Sequence, residues 1–306
     1  MISINDEVND ARANGSAIVA LESSIIAHGL PFPDNLETAR AAEQSVREQG
    51  ATPATIAIMD GIATIGLSPA ELEKLADPSV SHPKAGARDI AALCVRRSTA
   101  GTTVGATATL AAQASIRVFA TGGIGGVHRG DDDDVSADLN TLARVPVAVV
   151  SSGAKSILDI ARTAERLETL GVTVIGFSTD EFPAFYSRSS GVPIPHRFDL
   201  IDEIATLLTI RFAPRSHQRA NEGGVLIANP VPAPYEISAA VLAPVIERAL
   251  AQAKQDGIRG KRVTPYLLGA IRSELGDQVI ATNRALVLSN ATLAAQIAVA
   301  YASRGG

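Results

Sequence analysis

The sequence predicts an α/β protein with three layers, α/β/α, around a central sheet that is largely parallel or mixed. Short apolar runs of strand length alternate with longer amphipathic stretches, a pattern typical of strands joined by helices. One region indicates parallel strands: residues 156–170 have a helical pattern, Gly171 closes the helix, and residues 172–177 are apolar again. With the apolar run that precedes them, these residues form a βαβ unit, so part of the sheet must be parallel.

The composition favours a single domain over residues 1–306. Hydrophobic residues make up 46% of the chain and charged residues 19%, and no repeat or linker interrupts the sequence. The net charge of −5 and the absence of Trp argue against a nucleic-acid partner. The N-terminus does not read as a secretory signal, and no run of about 18 apolar residues occurs. We therefore expect a cytoplasmic protein with no membrane partner.

The first strand-like run, residues 16–26, contains Glu22 between apolar neighbours and near polar groups. A carboxylate in such surroundings is either paired or has a raised pKa. Two roles therefore stay open for Glu22, a structural ion pair or a general acid and base. Asp34 or Asn35 is expected to cap the next helix, residues 36–49.

Two further strands, residues 54–59 and 61–66, precede a region with ligand-binding potential. Lys84 and Arg88 lie at a loop-to-helix transition, where two cations suit a phosphate group; solvated surface charge is the alternative. Residues 99–109 are mostly Thr, Gly and Ala, and such small residues let a ligand approach the backbone closely.

The middle of the chain concentrates the candidate chemistry. Apolar runs at residues 116–120 and 145–150 both end in small residues, the second in Ser-Ser-Gly-Ala before Lys155. Open α/β sheets bind ligands at such strand ends. We expect Lys155 at a helix N-terminus, where the dipole favours its neutral amine, and a neutral amine can form a Schiff base. A phosphate-binding or solvated lysine is the alternative, although Ala154 excludes a P-loop.

The remaining chain offers a candidate metal loop and further helices. Residues 131–134 are four aspartates, which form either a solvated loop or oxygen ligands for a hard divalent cation. Residues 179–191 are predicted to be a lid, an oligomer contact or a loop anchored by its aromatic side chains, Phe182, Phe185 and Tyr186. Helices are predicted over residues 199–210 and 237–256, from Thr264 onward, and over residues 281–302. The helix over residues 281–302 contains Asn283 and Asn290.

Three segments carry a specific resemblance. They are the Gly-rich run at residues 119–130, Val-Ser-Ala-Asp-Leu at residues 135–139, and Gly-Ala-Lys-Ser-Ile-Leu-Asp at residues 153–159. In these segments the chain resembles pseudouridine-5′-phosphate glycosidase, also called the indigoidine-synthase-A-like family. Further matching blocks extend over most of the chain, at residues 19–33, 84–89, 102–104, 179–191, 225–232, 264–268 and 283–287.

The resemblance implies reversible cleavage of pseudouridine 5′-phosphate, with water, to uracil and ribose 5-phosphate. Lys155 matches the family's Schiff-base lysine, Glu22 its proton donor and acceptor, and Asp134 its manganese ligand, with one Mn²⁺ per subunit of a homotrimer. Asp138 is expected to reach that metal through water. The substrate contacts that the resemblance implies are Lys84, Val104, Thr121, His128, Ser136, Ala137, Asp138 and Asn283.

Two other functions remain open at this point. A sugar kinase of the ribokinase-like type has a similar three-layer build and needs no P-loop. A non-catalytic sugar-phosphate-binding protein would use the same glycine turns and cations without a nucleophile.

Overall fold

The computed structural model describes residues 2–130, 133–213, 223–258 and 263–305, with the side chains of residues 264 and 265 left out. The strands are β1 (Ile2–Ile4), β2 (Ile18–Glu22), β3 (Thr52–Met59), β4 (Ile62–Ile65), β5 (Lys84–Ala85), β6 (Ala100–Thr102), β7 (Val118–Ala120), β8 (Val127–His128), β9 (Ala148–Ser151), β10 (Leu158–Asp159), β11 (Thr173–Phe177), β12 (Arg197–Phe198) and β13 (Val225–Ala228). The α-helices are α1 (Asp6–Ala13), α2 (Asp34–Glu48), α3 (Pro69–Ala76), α4 (Ile90–Val95), α5 (Val104–Gln113), α6 (Ala137–Leu142), α7 (Ile160–Thr169), α8 (Ile201–Phe212), α9 (Ala239–Gln255), α10 (Val263–Leu275) and α11 (Asp277–Ala302).

The main sheet is mixed but largely parallel. Its strand order is β1-β4-β3-β2-β7-β9-β13-β11-β12, and β6 joins it beside β3 with β5 at its edge. Every pair along the run from β3 to β12 is parallel, whereas β3 is antiparallel to β4 and β6. Helices flank this sheet: α11 packs on β2, β7 and β9 with α2 and α8 beside it, and α5 packs on β2 and β3 with α6 beside it. The three-layer α/β/α prediction is confirmed.

The central strands are buried on both faces, as their unbroken apolar sequences require. All four residues of β13 and all three residues of β7 are buried, and so are the four residues of β9. Because these strands are parallel, their carboxyl ends lie along one edge of the sheet. This edge carries the candidate site.

Helix α11 is the longest helix of the described residues, with 26 residues. By length and composition it could cross a membrane, with a mean hydropathy of 1.5 over its most apolar window. However, 56% of that window is buried, as in a core helix, and the helix packs across the centre of the sheet. Three of its residues are both polar and buried inside the protein, namely Thr282, Asn283 and Asn290.

Several local predictions require correction. No helix begins at Ser156: α7 begins at Ile160, and its N-cap is Asp159, whose carboxylate accepts the N–H of Arg162 at 3.1 Å. Lys155 therefore lies in a loop, and the helix-dipole argument does not apply to it. The predicted caps of α2 are also wrong, because this helix already includes Asp34 and has no side-chain cap.

The aromatic loop after β11 is packed rather than exposed. Phe182, Phe185 and Tyr186 are only 1%, 4% and 2% exposed, and the rings of Phe185 and Tyr186 meet edge to face with centroids 4.6 Å apart. Of the three alternatives given for this loop, the structure supports a loop that its aromatic side chains anchor to the core. Two other predicted segments lie partly outside the described residues, at 131–132 and 214–222.

We expect Asn290→Ala to lower the free energy of unfolding by about 2–4 kcal/mol. The substitution removes hydrogen bonds to buried groups on three loops and leaves those groups without a partner. The Asn290 amide donates to the Thr121 carbonyl at 2.8 Å, and its oxygen accepts from Asn229 at 2.9 Å. Urea unfolding measures this. Gln296→Ala is the control, since Gln296 lies on the same helix and bonds to Gln49 near the surface. An equal loss in both variants would contradict a special role for Asn290.

Candidate active site

A cavity of about 670 Å³ opens at the carboxyl edge of the sheet. Its floor is formed by the ends of β2, β7 and β9, and α10 and α11 contribute its other wall. The cavity brings together four of the predicted site residues, namely Glu22, Lys84, Lys155 and Asn283. Two lysine amines, a carboxylate and an amide therefore share one space that is large enough for a small ligand.

Glu22 is the last residue of β2 and is 9% exposed. Two hydroxyls hold its carboxylate: Thr121 donates to Oε1 at 2.6 Å, and Ser24 donates to Oε2 at 2.9 Å. Thr121 follows β7 and is itself buried, so the predicted Thr121 acts on Glu22 rather than lining the cavity. No ion pair to Glu22 occurs among the described residues, and its hydrogen-bond partners there are the two hydroxyls.

Lys155 is placed by two loops that run side by side. Ile124 N–H donates to the Gly153 carbonyl at 3.0 Å, and Lys155 N–H donates back to the Ile124 carbonyl at 3.2 Å. Gly153 has φ +73°, and a Cβ at this position would collide with the Pro183 carbonyl. Only glycine fits this turn, because both the backbone angle and the close approach exclude a side chain. The turn directs Lys155 into the cavity instead of into a helix.

Lys84 is the perturbed cation of the cavity. The pKa of Lys84 is lowered to about 8. The positive charge of Lys155 is the largest cause, and burial of the amine is the next. Glu22 and Asp138 act in the opposite direction and raise it. Burial and, secondarily, the Lys84 charge also lower the pKa of His28, another cavity residue. The charged and neutral forms of the Lys84 amine are thus about equally populated near pH 8, and the charged form prevails at pH 7.

The Asp138 carboxylate links two backbone segments, and it does not line the cavity. Its Oδ1 accepts the N–H of Gly105 at 2.8 Å, and its Oδ2 accepts the N–H of Gly125 at 3.0 Å. Both oxygens are thus engaged in positioning backbone. Its predicted neighbours Ser136 and Ala137 begin α6, and Val104 is buried at the start of α5, next to Gly105. These residues surround the cavity without lining it.

His128 and Asp134 lie in a neighbouring cleft of about 600 Å³ that shares Ile258 with the first cavity. The His128 ring nitrogen Nδ1 lies 3.4 Å from the Asp134 carboxylate and 3.1 Å from its carbonyl. Among the described residues, no group of three His, Cys, Asp or Glu side chains could hold a metal. One carboxylate fits a Mn²⁺ that keeps most of its waters, and it does not fit a closed structural site.

Asn283 carries an unusual buried acceptor. The residue is 8% exposed on the cavity wall, and its Oδ1 has no hydrogen-bond partner among the described residues. Buried side-chain oxygens are nearly always bonded, so a ligand or a water is the natural partner.

Several cavity residues were not predicted as site residues. Ser24 has a sequence signal, since it follows Glu22 within a segment that carries the family resemblance. Tyr266 and Arg272 come from α10; Tyr266 lies in the matching block at residues 264–268, whereas no local pattern marks Arg272. Asn290 is fully buried and does not line the cavity, and the sequence marks it only as an amide within an apolar helix.

The model of the family described as indigoidine synthase A like protein matches residues 7–300. The chain belongs to this family. Its members include a protein of Myxococcus xanthus named pseudouridine-5′-phosphate glycosidase, which is 47% identical over 303 residues, covering 98% of each chain. A protein of the same name from a Jannaschia species is 50% identical over 299 residues, covering 97% of each chain.

Solved structures of the family share the fold. The prealnumycin C-glycosynthase AlnA, in complex with ribulose 5-phosphate, superposes with a TM-score of 0.89 at 38% identity, covering 100% of this chain and 98% of the other. An indigoidine synthase A-like protein of Thermotoga maritima gives a TM-score of 0.86 at 34% identity, covering 98% and 96% of the two chains. The family resemblance read from the sequence is confirmed.

We expect Lys84→Met to raise the midpoint of thermal unfolding at pH 7, because it removes the repulsion with Lys155. A lysine pKa that falls from 10.5 to about 8 on folding means that the unfolded chain binds more protons between these values. The penalty is fully present below about pH 8 and vanishes towards pH 10.5, so the gain should shrink over that window. Calorimetry between pH 6 and 10 measures it.

The control is Lys74→Met, which removes an exposed lysine paired with Asp60 at 2.7 Å. This variant should show little change or a small loss at every pH. A lower unfolding midpoint for Lys84→Met at pH 7 would contradict the repulsion.

Proposed function

We propose that this protein reversibly cleaves the C–C glycosidic bond of pseudouridine 5′-phosphate to give uracil and ribose 5-phosphate. The observation that carries the proposal is the joint placement of Lys155 and Glu22 in one cavity beside Lys84. The names of the relatives support the substrate, and a family member with a bound sugar phosphate supports its class. Nothing in the comparisons favours a sugar kinase or a non-catalytic binding protein.

The Lys155 amine acts on C1′ of the ribose. As the N–C1′ bond forms, the C1′–O4′ bond opens and O4′ takes a proton. The nitrogen lone pair then forms a C=N bond while the electrons of the C1′–C5 bond pass to the uracil ring, whose C5 takes a proton. Water hydrolyses the resulting Schiff base, releases ribose 5-phosphate and restores the amine. This route avoids the two-carboxylate chemistry used on ordinary glycosides.

Glu22 supplies and removes the protons in these steps. Its carboxylate is fixed by the Ser24 and Thr121 hydroxyls, so its orientation does not depend on the ligand. A proton donor must lie within hydrogen-bond reach of O4′ and of the departing carbon, and the shared cavity allows this. The same group serves both directions of the reaction.

Lys84 and Asn283 are proposed to hold the two ends of the substrate. Lys84 faces the anionic sugar phosphate, because its charge is stabilised when an anion neutralises the repulsion from Lys155. The free Oδ1 of Asn283 can accept an N–H of uracil. The family resemblance also assigns substrate contacts to six residues that do not line this cavity, and we propose that they act on the substrate through the loops that carry the cavity residues: Val104, Thr121, His128, Ser136, Ala137 and Asp138.

Mn²⁺ is proposed as the cofactor, with Asp134 as its protein ligand and water completing its shell. A divalent cation bound there would offset the negative charge of the substrate. Asp138 is proposed to reach the cation through water and not by direct ligation, because each of its oxygens accepts one backbone N–H group and keeps a second lone pair for a water. By analogy with the family we also propose a homotrimer in the cytoplasm.

Sodium borohydride should trap ribose 5-phosphate on the Lys155 peptide, because reduction of a Schiff base leaves a stable secondary amine. Peptide mass mapping then distinguishes Lys155 from Lys84, the other lysine of the cavity. The label should disappear in Lys155→Ala, and this variant should lose cleavage of pseudouridine 5′-phosphate by at least about 10⁴-fold.

Lys84→Met serves as the matched control for the trapping experiment, since it removes the neighbouring amine and keeps the nucleophile. Label on the Lys84 peptide, or cleavage that survives Lys155→Ala, would overturn the assignment. Release of uracil, followed by its absorbance after chromatography, tests the substrate itself.

Asp134→Asn should weaken Mn²⁺ binding by at least about tenfold, because it removes the charge of the proposed ligand. Electron paramagnetic resonance of free Mn²⁺ measures binding without reference to activity. Asp199→Asn is the control, since Asp199 is an exposed carboxylate that pairs with Arg197. Equal Mn²⁺ affinity in the wild type and Asp134→Asn would remove the metal role of Asp134.

A further inference from the structure

A third, small cavity lies behind Glu22, between the sheet and α2. Its volume is about 20 Å³, which exceeds the roughly 10–15 Å³ that one water molecule requires. Most of its lining is apolar, but four residues bring polar side chains to it: Glu22, Thr38, Thr55 and Thr121. The space is thus of the size for a single water, with enough polar groups around it to bind one.

The Thr38 hydroxyl is the feature of this cavity that lacks an explanation within the fold. Thr38 lies on α2, is 0% exposed, and its Oγ1 has no hydrogen-bond partner among the described residues. A helical threonine often bonds to a carbonyl of the preceding turn, as Thr282 bonds to Gln278 at 2.8 Å. Because Thr38 does not, its buried hydroxyl requires another partner.

Thr55 presents an acceptor to the same space. Its hydroxyl donates to Glu43 Oε1 at 2.5 Å, so its proton is directed towards α2 and its lone pairs remain available. Glu22 has a different constraint: each of its oxygens already accepts one hydroxyl, and a carboxylate oxygen can accept a second donor. Thr38 thus supplies a donor, and Thr55 and Glu22 supply acceptors.

We propose that one permanent water molecule binds in this cavity, accepts a hydrogen bond from Thr38, and donates to Glu22 and Thr55. Three hydrogen bonds are typical of a buried water. Thr38 is then a positioning residue for Glu22, acting through the water from the side that faces away from the substrate. This role in catalysis rests on the proposed function of Glu22, whereas the water site itself does not.

The first test is a crystal structure at about 1.5 Å resolution or better. It should show a water within hydrogen-bond distance of Thr38 Oγ1 and Glu22, and Thr38→Val should lose it while Thr38→Ser keeps it. Valine matches the shape of threonine without the hydroxyl, and serine keeps the hydroxyl. A dry cavity in the wild type would overturn the proposal whether or not the protein cleaves pseudouridine 5′-phosphate.

The second test is kinetic and separates positioning from packing. We expect Thr38→Val to lower kcat about tenfold with KM changed less than about twofold, and Thr38→Ser to restore most of kcat. Thr64→Val is the matched control, because Thr64 is also buried and its hydroxyl bonds to the Ile62 carbonyl away from the cavity. Unchanged kcat in Thr38→Val, or equal losses in both valine variants, would overturn the positioning role.

Discussion

One buried amide, that of Asn290, links the loops that position Glu22 and Lys155, the two groups proposed to react. Its nitrogen donates to the Thr121 carbonyl and lies 3.2 Å from the Ser152 hydroxyl. Thr121 in turn holds Glu22 through its hydroxyl, and Ser152 begins the turn that delivers Lys155. Glu22 and Lys155 follow different strands, yet one side chain from the last helix contacts the loops that place both of them. This explains why a polar residue occupies a fully buried position on an otherwise apolar face.

The cavity keeps two amines close together, and this arrangement makes the folded chain less stable than it could be. Two acidic groups partly offset the repulsion between Lys84 and Lys155, because Glu22 and Asp138 both favour the charged form of Lys84. Asp138 is fixed by the Gly105 and Gly125 N–H groups, so its carboxylate keeps one position. An anionic sugar phosphate would complete the balance of charge. Binding energy from the phosphate can thereby offset a repulsion that the free protein retains.

The sequence was sufficient to predict the layers and the parallel strands, and Glu22 and Lys155, which it singled out, line one cavity. Glu22 and Lys155 both follow unbroken apolar runs, and strand ends of this kind are where open sheets bind ligands. The helix start at Lys155 was wrong because residues 158 and 159 instead pair with β8, and Asp159 provides the cap. Nothing local indicates that pairing. Thr38 and Asn290 act only through contacts with distant strands, so no pattern in their own segments could reveal their partners.

The separation of the two clefts divides the chemical work. Glu22 and Lys155 line one cavity, whereas Asp134 and His128 line the other, and Ile258 is common to both. A cation held by Asp134 would therefore lie outside the wall that presents the amine and the acid to the ribose. In the proposed reaction, the chain's own side chains would then carry out the bond changes at C1′. The exact position of the Glu22 carboxylate would therefore be decisive. This is consistent with a carboxylate that hydroxyls hold on both of its oxygens, one of them tied through Thr121 to the core.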